Sequence, residues 1–193
     1  MQPPAPTPTG ADAGQAAALI VRRPIVLIGL MGVGKTTVGR RLAARLRLPF
    51  VDSDTEIEHV SGYSIPEMFD RFGEDSFRDG ERRVVKRLID GGPMVMATGG
   101  GVFVNPETRA IILERTTAIW LDADVGVLAE RVRRRDTRPL LRGQDADAIL
   151  ARLAAERRPF YAQAHLHVHT EALPHARAVD AIIDALWQRG EQL

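Results

Sequence analysis

The stretch IVLIGLMGVGKTTVG, residues 25–39, does more than any other to limit what this chain can fold into. Ile25 to Ile28 is an apolar, largely β-branched run of strand length, and Thr36 to Leu46 carries Val38, Leu42 and Leu46 at helical spacing. Between them, Gly29-x-x-x-x-Gly34-Lys35-Thr36 fits the pattern of a phosphate-binding loop. Glycines there let backbone N–H groups turn toward phosphate oxygens at the start of a helix, where unpaired donors and the helix dipole favour anions. Strand, glycine loop and helix in that order predict an α/β sheet that binds a phosphorylated ligand at the carboxyl end of a strand.

The lysine of this loop stands out against the rest of the chain. Of 26 Lys+Arg residues only Lys35 and Lys86 are lysine, so arginine is the default cation. A compact, strongly hydrated ammonium in place of a planar fork suits the enclosed outer phosphates of a nucleotide. The same pattern assigns the Thr36 hydroxyl to Mg²⁺.

From Arg22 onward apolar strands alternate with helical patterns. Ile25–Ile28, Phe50–Asp52, Met94–Ala97, Ala118–Leu121 and Leu166–Val168 are the expected strands, which predicts a three-layer α/β/α architecture on a five-stranded parallel sheet. Ser64-Ile-Pro-Glu67 has the form of a capping box, and Asn105-Pro106 places an N-cap residue before proline at the first helical position. Val179, Ile182, Ile183, Leu186 and Trp187 form one expected apolar stripe of a closing helix. Residues 1–21, rich in Pro and Ala, read as a disordered tail without the pattern of a secretory signal, and 22–193 as a single domain.

Composition narrows the function. At 45% hydrophobic and 26% charged residues the chain is of ordinary globular type, and its net charge of +1 argues against bulk affinity for nucleic acid. Nowhere do 18 consecutive apolar residues occur, so no membrane-spanning helix is expected. Cysteine is absent, which excludes disulfides, a cysteine nucleophile and thiolate metal sites, and fits a cytoplasmic protein.

The other strand ends carry the candidates for a second substrate. PFVDSD sets Asp52 and Asp54 two apart, read as an extended segment facing the space above the glycine loop, with capping of the next helix as the bland alternative. FRDGE supplies Phe77, Arg78 and Glu81, and ATGGGV supplies Gly99, Gly100 and Gly101, bare backbone for the close approach of a ligand. RRRDTRPLLRG crowds Arg133, Arg134, Arg135, Arg138 and Arg142 into one segment, with Arg131 just before it, and ERRPFY ends the next helical pattern. AIWLD, ending at Asp122, also resembles a metal-binding strand end, but is read here as helping to start the helix after Asp124. In HLHVH, His165, His167 and His169 fall on one face of a strand, a pattern that can bind zinc, but with no carboxylate partner beside them they are read as strand or edge residues.

The combination resembles the shikimate kinase family. It rests on the Gly29–Thr36 loop, Asp52-x-Asp54, Phe77-Arg78-x-x-Glu81, Gly99-Gly100-Gly101, Arg138-Pro139-Leu140-Leu141 and Arg157-x-Pro159-x-Tyr161, and it spans about residues 22–188. The resemblance implies a P-loop fold of the nucleoside monophosphate kinase type with a mobile lid at about 132–145. It implies ATP-dependent phosphorylation of the 3-hydroxyl of shikimate, toward chorismate and the aromatic amino acids. Gly32, Val33, Gly34, Lys35, Thr36 and Thr37 would then hold ATP phosphates, Thr36 and Asp52 the Mg²⁺, and Arg131 and Pro174 the adenine. Arg78 and Arg157 would clamp the substrate carboxylate against Gly99, Gly100 and Gly101, with Glu81 orienting Arg78. Asp54 would take the substrate hydroxyls, and Arg138 would reach the transferring phosphate. The expected partners are shikimate and ATP, with no nucleic acid, no membrane and a monomeric state. The rivals are a small kinase of another hydroxy acid, such as gluconate, and a nucleotide-dependent nucleic-acid binder using the arginine-rich segment.

Overall fold

The computed structural model describes residues 21–133, 146–170 and 175–189. The elements are β1 (Ile25–Ile28), α1 (Lys35–Leu46), β2 (Phe50–Asp52), α2 (Ser53–Ser61), α3 (Ile65–Asp90), β3 (Val95–Ala97), α4 (Pro106–Arg115), β4 (Thr117–Asp122), α5 (Val125–Arg133), α6 (Ala146–Tyr161), β5 (Leu166–His169) and α7 (His175–Gln188). The five strands form one parallel sheet in the order β2-β3-β1-β4-β5. No described helix is long and apolar enough to cross a membrane.

Strand order follows from residue character. β1 is the central strand, and all four of its side chains are 0–1% exposed, as an uninterrupted apolar run covered on both faces must be. Each Ile, Leu or Val so buried stabilises by roughly 1.5–3 kcal/mol. The connection from β1 to β2 runs toward one edge of the sheet and every later one runs toward the other. Right-handed crossovers therefore put α1 on one face and α2 to α6 on the opposite face. Contacts of α7 with α1 and β5, and of α5 with α6, agree with that division.

Local signals set several helix ends. Ser64 accepts from the Glu67 N–H while Glu67 accepts from the Ser64 N–H, completing the capping box, and Asn105 accepts from the Thr108 N–H with Pro106 first in α4. α3 is broken at Gly73, whose φ of 78° and ψ of 169° are not helical. Past the break, Phe77, Glu81, Val85 and Ile89 form the buried stripe, so a carboxylate occupies a core position. In α7, Val179, Ile182 and Leu186 are buried, but Trp187 is 47% exposed. The expected stripe was one residue too wide, because Trp187 lies about 100° round the helix from Leu186.

Candidate active site

The glycine loop bends back between β1 and α1. Gly29, Gly32 and Gly34 have φ of 137°, 83° and 94°, values L-residues rarely adopt. At Gly29 a side chain is also excluded by space, since a β-carbon there would lie 2.3 Å from the Leu121 carbonyl oxygen. Gly34 is the N-cap of α1, and neither a side-chain cap nor an acidic residue in the first turn competes for that helix end. Lys35 Nζ donates to the carbonyls of Gly29 and Leu30, each at 2.8 Å, so the ammonium is already drawn over the loop. Val33 is buried and Thr37 half-buried beside it.

Thr36 Oγ1 donates to Asp52 Oδ2 at 2.8 Å, joining the loop to the end of β2. Asp52 also caps α2, its Oδ1 accepting from the Asp54 N–H at 3.2 Å. The two readings of this aspartate are therefore compatible, one for each carboxylate oxygen. Asp54 is not on an extended segment, contrary to the sequence reading: it lies in the first turn of α2. The helical turn sends the two carboxylates apart, Asp52 to Thr36 and Asp54 to Gly99.

The three glycines after β3 organise the rest. A β-carbon at Gly99 would lie 2.6 Å from Asp54 Oδ1, one at Gly100 2.8 Å from Arg157 Nη1, and one at Gly101 2.7 Å from Arg78 Nη1. None of the three has a positive φ. Their bareness serves close approach: side chains from α2, α6 and α3 each rest on one α-carbon. The adjoining cavity, about 490 Å³, is lined by Glu74, Arg78, Gly101, Asn105, Arg157 and Phe160 among others. Its size suits a small ligand. Arg109 braces the wall by donating to the Phe103 and Val104 carbonyls at 3.1 and 2.9 Å and lying over the Phe160 ring.

Charge is arranged unevenly around Arg78. Its Nη1 donates to Glu81 Oε2 at 2.8 Å and its Nη2 to Glu74 Oε1 at 3.2 Å. The Glu81 side chain is 4% exposed and the Glu74 side chain 65%. Burial works against the Arg78 charge, but Glu81 and Glu74 together raise its pKa above the ordinary arginine value. Burial pushes the Glu81 carboxyl up, with the nearby Asp54 charge adding, while Arg78 and Arg157 pull it back. Tyr161 donates its hydroxyl to the Gly100 carbonyl at 2.6 Å, and burial raises its pKa. Sequence reasoning assigned no role to Glu74 or Tyr161. Tyr161 follows Arg157 by one helical turn and Glu74 precedes Arg78 by one, so in both cases the spacing was available as a signal.

Other residues fall further off or in unexpected company. Arg131 stands half-buried in the last turn of α5, the helix whose Val132 side chain and Leu128 carbonyl crowd Gly32. Arg138 and Pro174, with Arg134, Arg135, Arg142 and nearly all of the expected lid, lie outside the described residues. Asp122 does not start the next helix with its side chain. Its Oδ1 accepts from the adjacent Ala123 N–H at 3.0 Å, while Oδ2 is 3.2 Å from His167 Nε2. The β5 histidines thus do have a carboxylate beside them, supplied by the neighbouring strand. His165 is not part of that set: its Nδ1 accepts from the Ala118 N–H at 2.9 Å.

A parallel sheet ordered β2-β3-β1-β4-β5, a phosphate loop after β1 and a glycine-floored cavity lined by Arg78 and Arg157 define a P-loop kinase of small molecules. The family model for shikimate kinase matches residues 31–187. Curated shikimate kinases from Zymomonas mobilis and Caulobacter vibrioides are 58% identical over 164 residues and 57% identical over 166, covering 85% and 86% of this chain and 93% and 83% of theirs. The solved shikimate kinase from Acinetobacter baumannii in complex with shikimate superposes with a TM-score of 0.84 at 33% identity, covering 92% of this chain and 98% of that one. The chain belongs to the shikimate kinase family and is an enzyme.

Proposed function

We propose that the site transfers the γ-phosphoryl group of ATP to the 3-hydroxyl of shikimate, giving shikimate 3-phosphate and ADP. The observation that carries this reading is the glycine triplet, which gathers Asp54, Arg157 and Arg78 along one strip beside the phosphate loop. Two guanidinium groups and one carboxylate over bare backbone complement an acid that bears several hydroxyls. Family membership supports the same substrate.

Arg78 and Arg157 hold the substrate carboxylate, where bidentate geometry gives orientation as well as affinity. Glu81, fixed in the core, keeps Arg78 aimed. Tyr161 ties α6 to the glycine segment, and so sets where Arg157 lies. Asp54 accepts a hydrogen bond from the 3-hydroxyl and takes its proton as the new P–O bond forms and the β–γ bridge breaks. Lys35 leaves the Gly29 and Leu30 carbonyls for the β- and γ-phosphates, aided by the amides of Gly32, Val33, Gly34, Thr36 and Thr37. Catalysis then rests on positioning and charge neutralisation.

The oxygens of Thr36 and Asp52, 2.8 Å apart, suit a hard cation, and they are the residues that would hold Mg²⁺, Asp52 through water. Bound there, Mg²⁺ supplies neutralisation of the phosphate charge. Arg131 and Pro174 flank adenine, and Arg138 reaches the transferring phosphate from the lid. We place the enzyme in the cytoplasm, which the absence of cysteine supports, without a nucleic-acid partner, which the net charge of +1 supports, and as a monomer.

The test is an ADP-release assay with Mg·ATP and either shikimate or gluconate. Turnover with shikimate is expected, with gluconate far behind. Preference for gluconate would overturn the substrate, and tight single-strand nucleic-acid binding without turnover would overturn the enzyme reading.

A further inference from the structure

Strands β4 and β5 place a second set of metal-binding atoms one strand over from the phosphate loop that follows β1. Their register pairs Trp120 with His167 and Asp122 with His169. Side chains two residues apart on a strand share a face, so all four rise on the side covered by α6. Asp122 Oδ2 lies 3.2 Å from His167 Nε2 and 3.9 Å from His169 Nδ1. One donor atom from each of the three falls within 4.8 Å of the others.

We propose that Asp122, His167 and His169 form a binding site for a borderline divalent transition-metal ion, with Zn²⁺ the best fit. Bonds of about 2.0–2.2 Å in a tetrahedron hold ligand atoms roughly 3.3–3.5 Å apart. The distances already span that value, so small side-chain rotations close the set. Two imidazoles with one carboxylate suit zinc, cobalt or nickel, and disfavour the Mg²⁺ that Thr36 and Asp52 suit.

The surroundings orient the ligands. Asp122 Oδ1 is occupied by the Ala123 N–H, which leaves Oδ2 turned to the histidines. His167 stacks on Trp120 with ring centroids 4.0 Å apart and planes 7° from parallel, so its ring position is set beforehand. Among the described residues Arg158 opposes the site: its Nη1 lies 3.9 Å from Asp122 Oδ2. That guanidinium also lies over the Trp120 ring at 5.5 Å, a resting place when a cation takes the carboxylate. The histidine side chains are 47% and 44% exposed, so an ion can reach them and water can complete the shell.

The experiment is calorimetric titration of the metal-free full-length chain with Zn²⁺ in excess Mg²⁺, with Co²⁺ absorption reporting coordination geometry. One saturable Zn²⁺ per chain and the absorption of tetrahedral Co²⁺ are expected. His169→Ala should weaken Zn²⁺ binding roughly tenfold or more, with thermal unfolding of the metal-free protein and Mg·ATP-dependent turnover unchanged. Arg158→Ala should tighten binding by removing the competing cation. Absence of saturable Zn²⁺ binding in the parent, or equal binding by parent and a folded His169→Ala, would overturn the site and leave Asp122 as a hydrogen-bonding hub for Arg158 and the histidines.

Discussion

The guanidinium of Arg78 lies against the bare α-carbon of Gly101, where a β-carbon would stand 2.7 Å from Nη1 and 2.9 Å from Nη2. Because Gly101 does not have a positive φ, alanine is conformationally allowed there, and the nearest atoms the added methyl meets belong to the end of a flexible side chain. Gly101→Ala should therefore fold normally but push Arg78 out of place. The expected result is an unchanged unfolding temperature with kcat/KM for shikimate lower by roughly 10²-fold. A destabilised protein with normal kinetics would show that the glycine serves the backbone.

Arg78→Lys keeps the charge and removes the fork. It should lower kcat/KM for shikimate by about 2 kcal/mol or more while nucleotide affinity holds. Steady-state kinetics with each substrate varied separately checks this, and a loss confined to ATP would refute the clamp.

The two carboxylates on Arg78 should behave oppositely. Glu74 is exposed, so its ion pair contributes little, on the order of 0–1 kcal/mol, and it competes with a substrate carboxylate for Nη2. Glu74→Ala should leave stability nearly unchanged and lower KM for shikimate. Glu81 is buried and anchors Nη1, so Glu81→Ala should raise KM. KM values moving in the same direction would contradict this division.

Lys35→Arg should abolish turnover and spare the fold. The ammonium sits 2.8 Å from each of two loop carbonyls, a compact point charge that a planar guanidinium on a longer stem does not reproduce. Near-normal turnover would remove Lys35 from the phosphate site.

His165 should make stability depend on pH. Burial lowers its pKa below 6.5, with Arg189 and Arg23 nearby adding to the effect. The unfolded chain then takes up a proton in a window below about 6.5 where the folded chain does not, so stability falls as pH falls through that window. This contribution is fully present above pH 6.5. His165→Asn keeps an acceptor for the Ala118 N–H and should flatten the slope, measured by urea unfolding at several pH values. An identical slope would assign the effect elsewhere.

What the sequence determined by itself was mostly local. The order of strand, glycine loop and helix, the capping box at Ser64 and the N-cap at Asn105 involve neighbours within a few residues, and they read directly because they follow fixed spacings. The glycine triplet and the residues that meet it were also named in sequence, but only as a set. Which glycine meets which side chain was decided by the sheet order, which brings α2, α3 and α6 to the end of β3. Tertiary structure alone joined Asp122 to His167 and His169 across 45 residues or more, through the β4–β5 register that periodicity cannot express. It also turned Trp187 to solvent. The physical reason is common to these cases: spacing along a chain specifies which face a residue takes, whereas the partner it meets depends on where another element has packed.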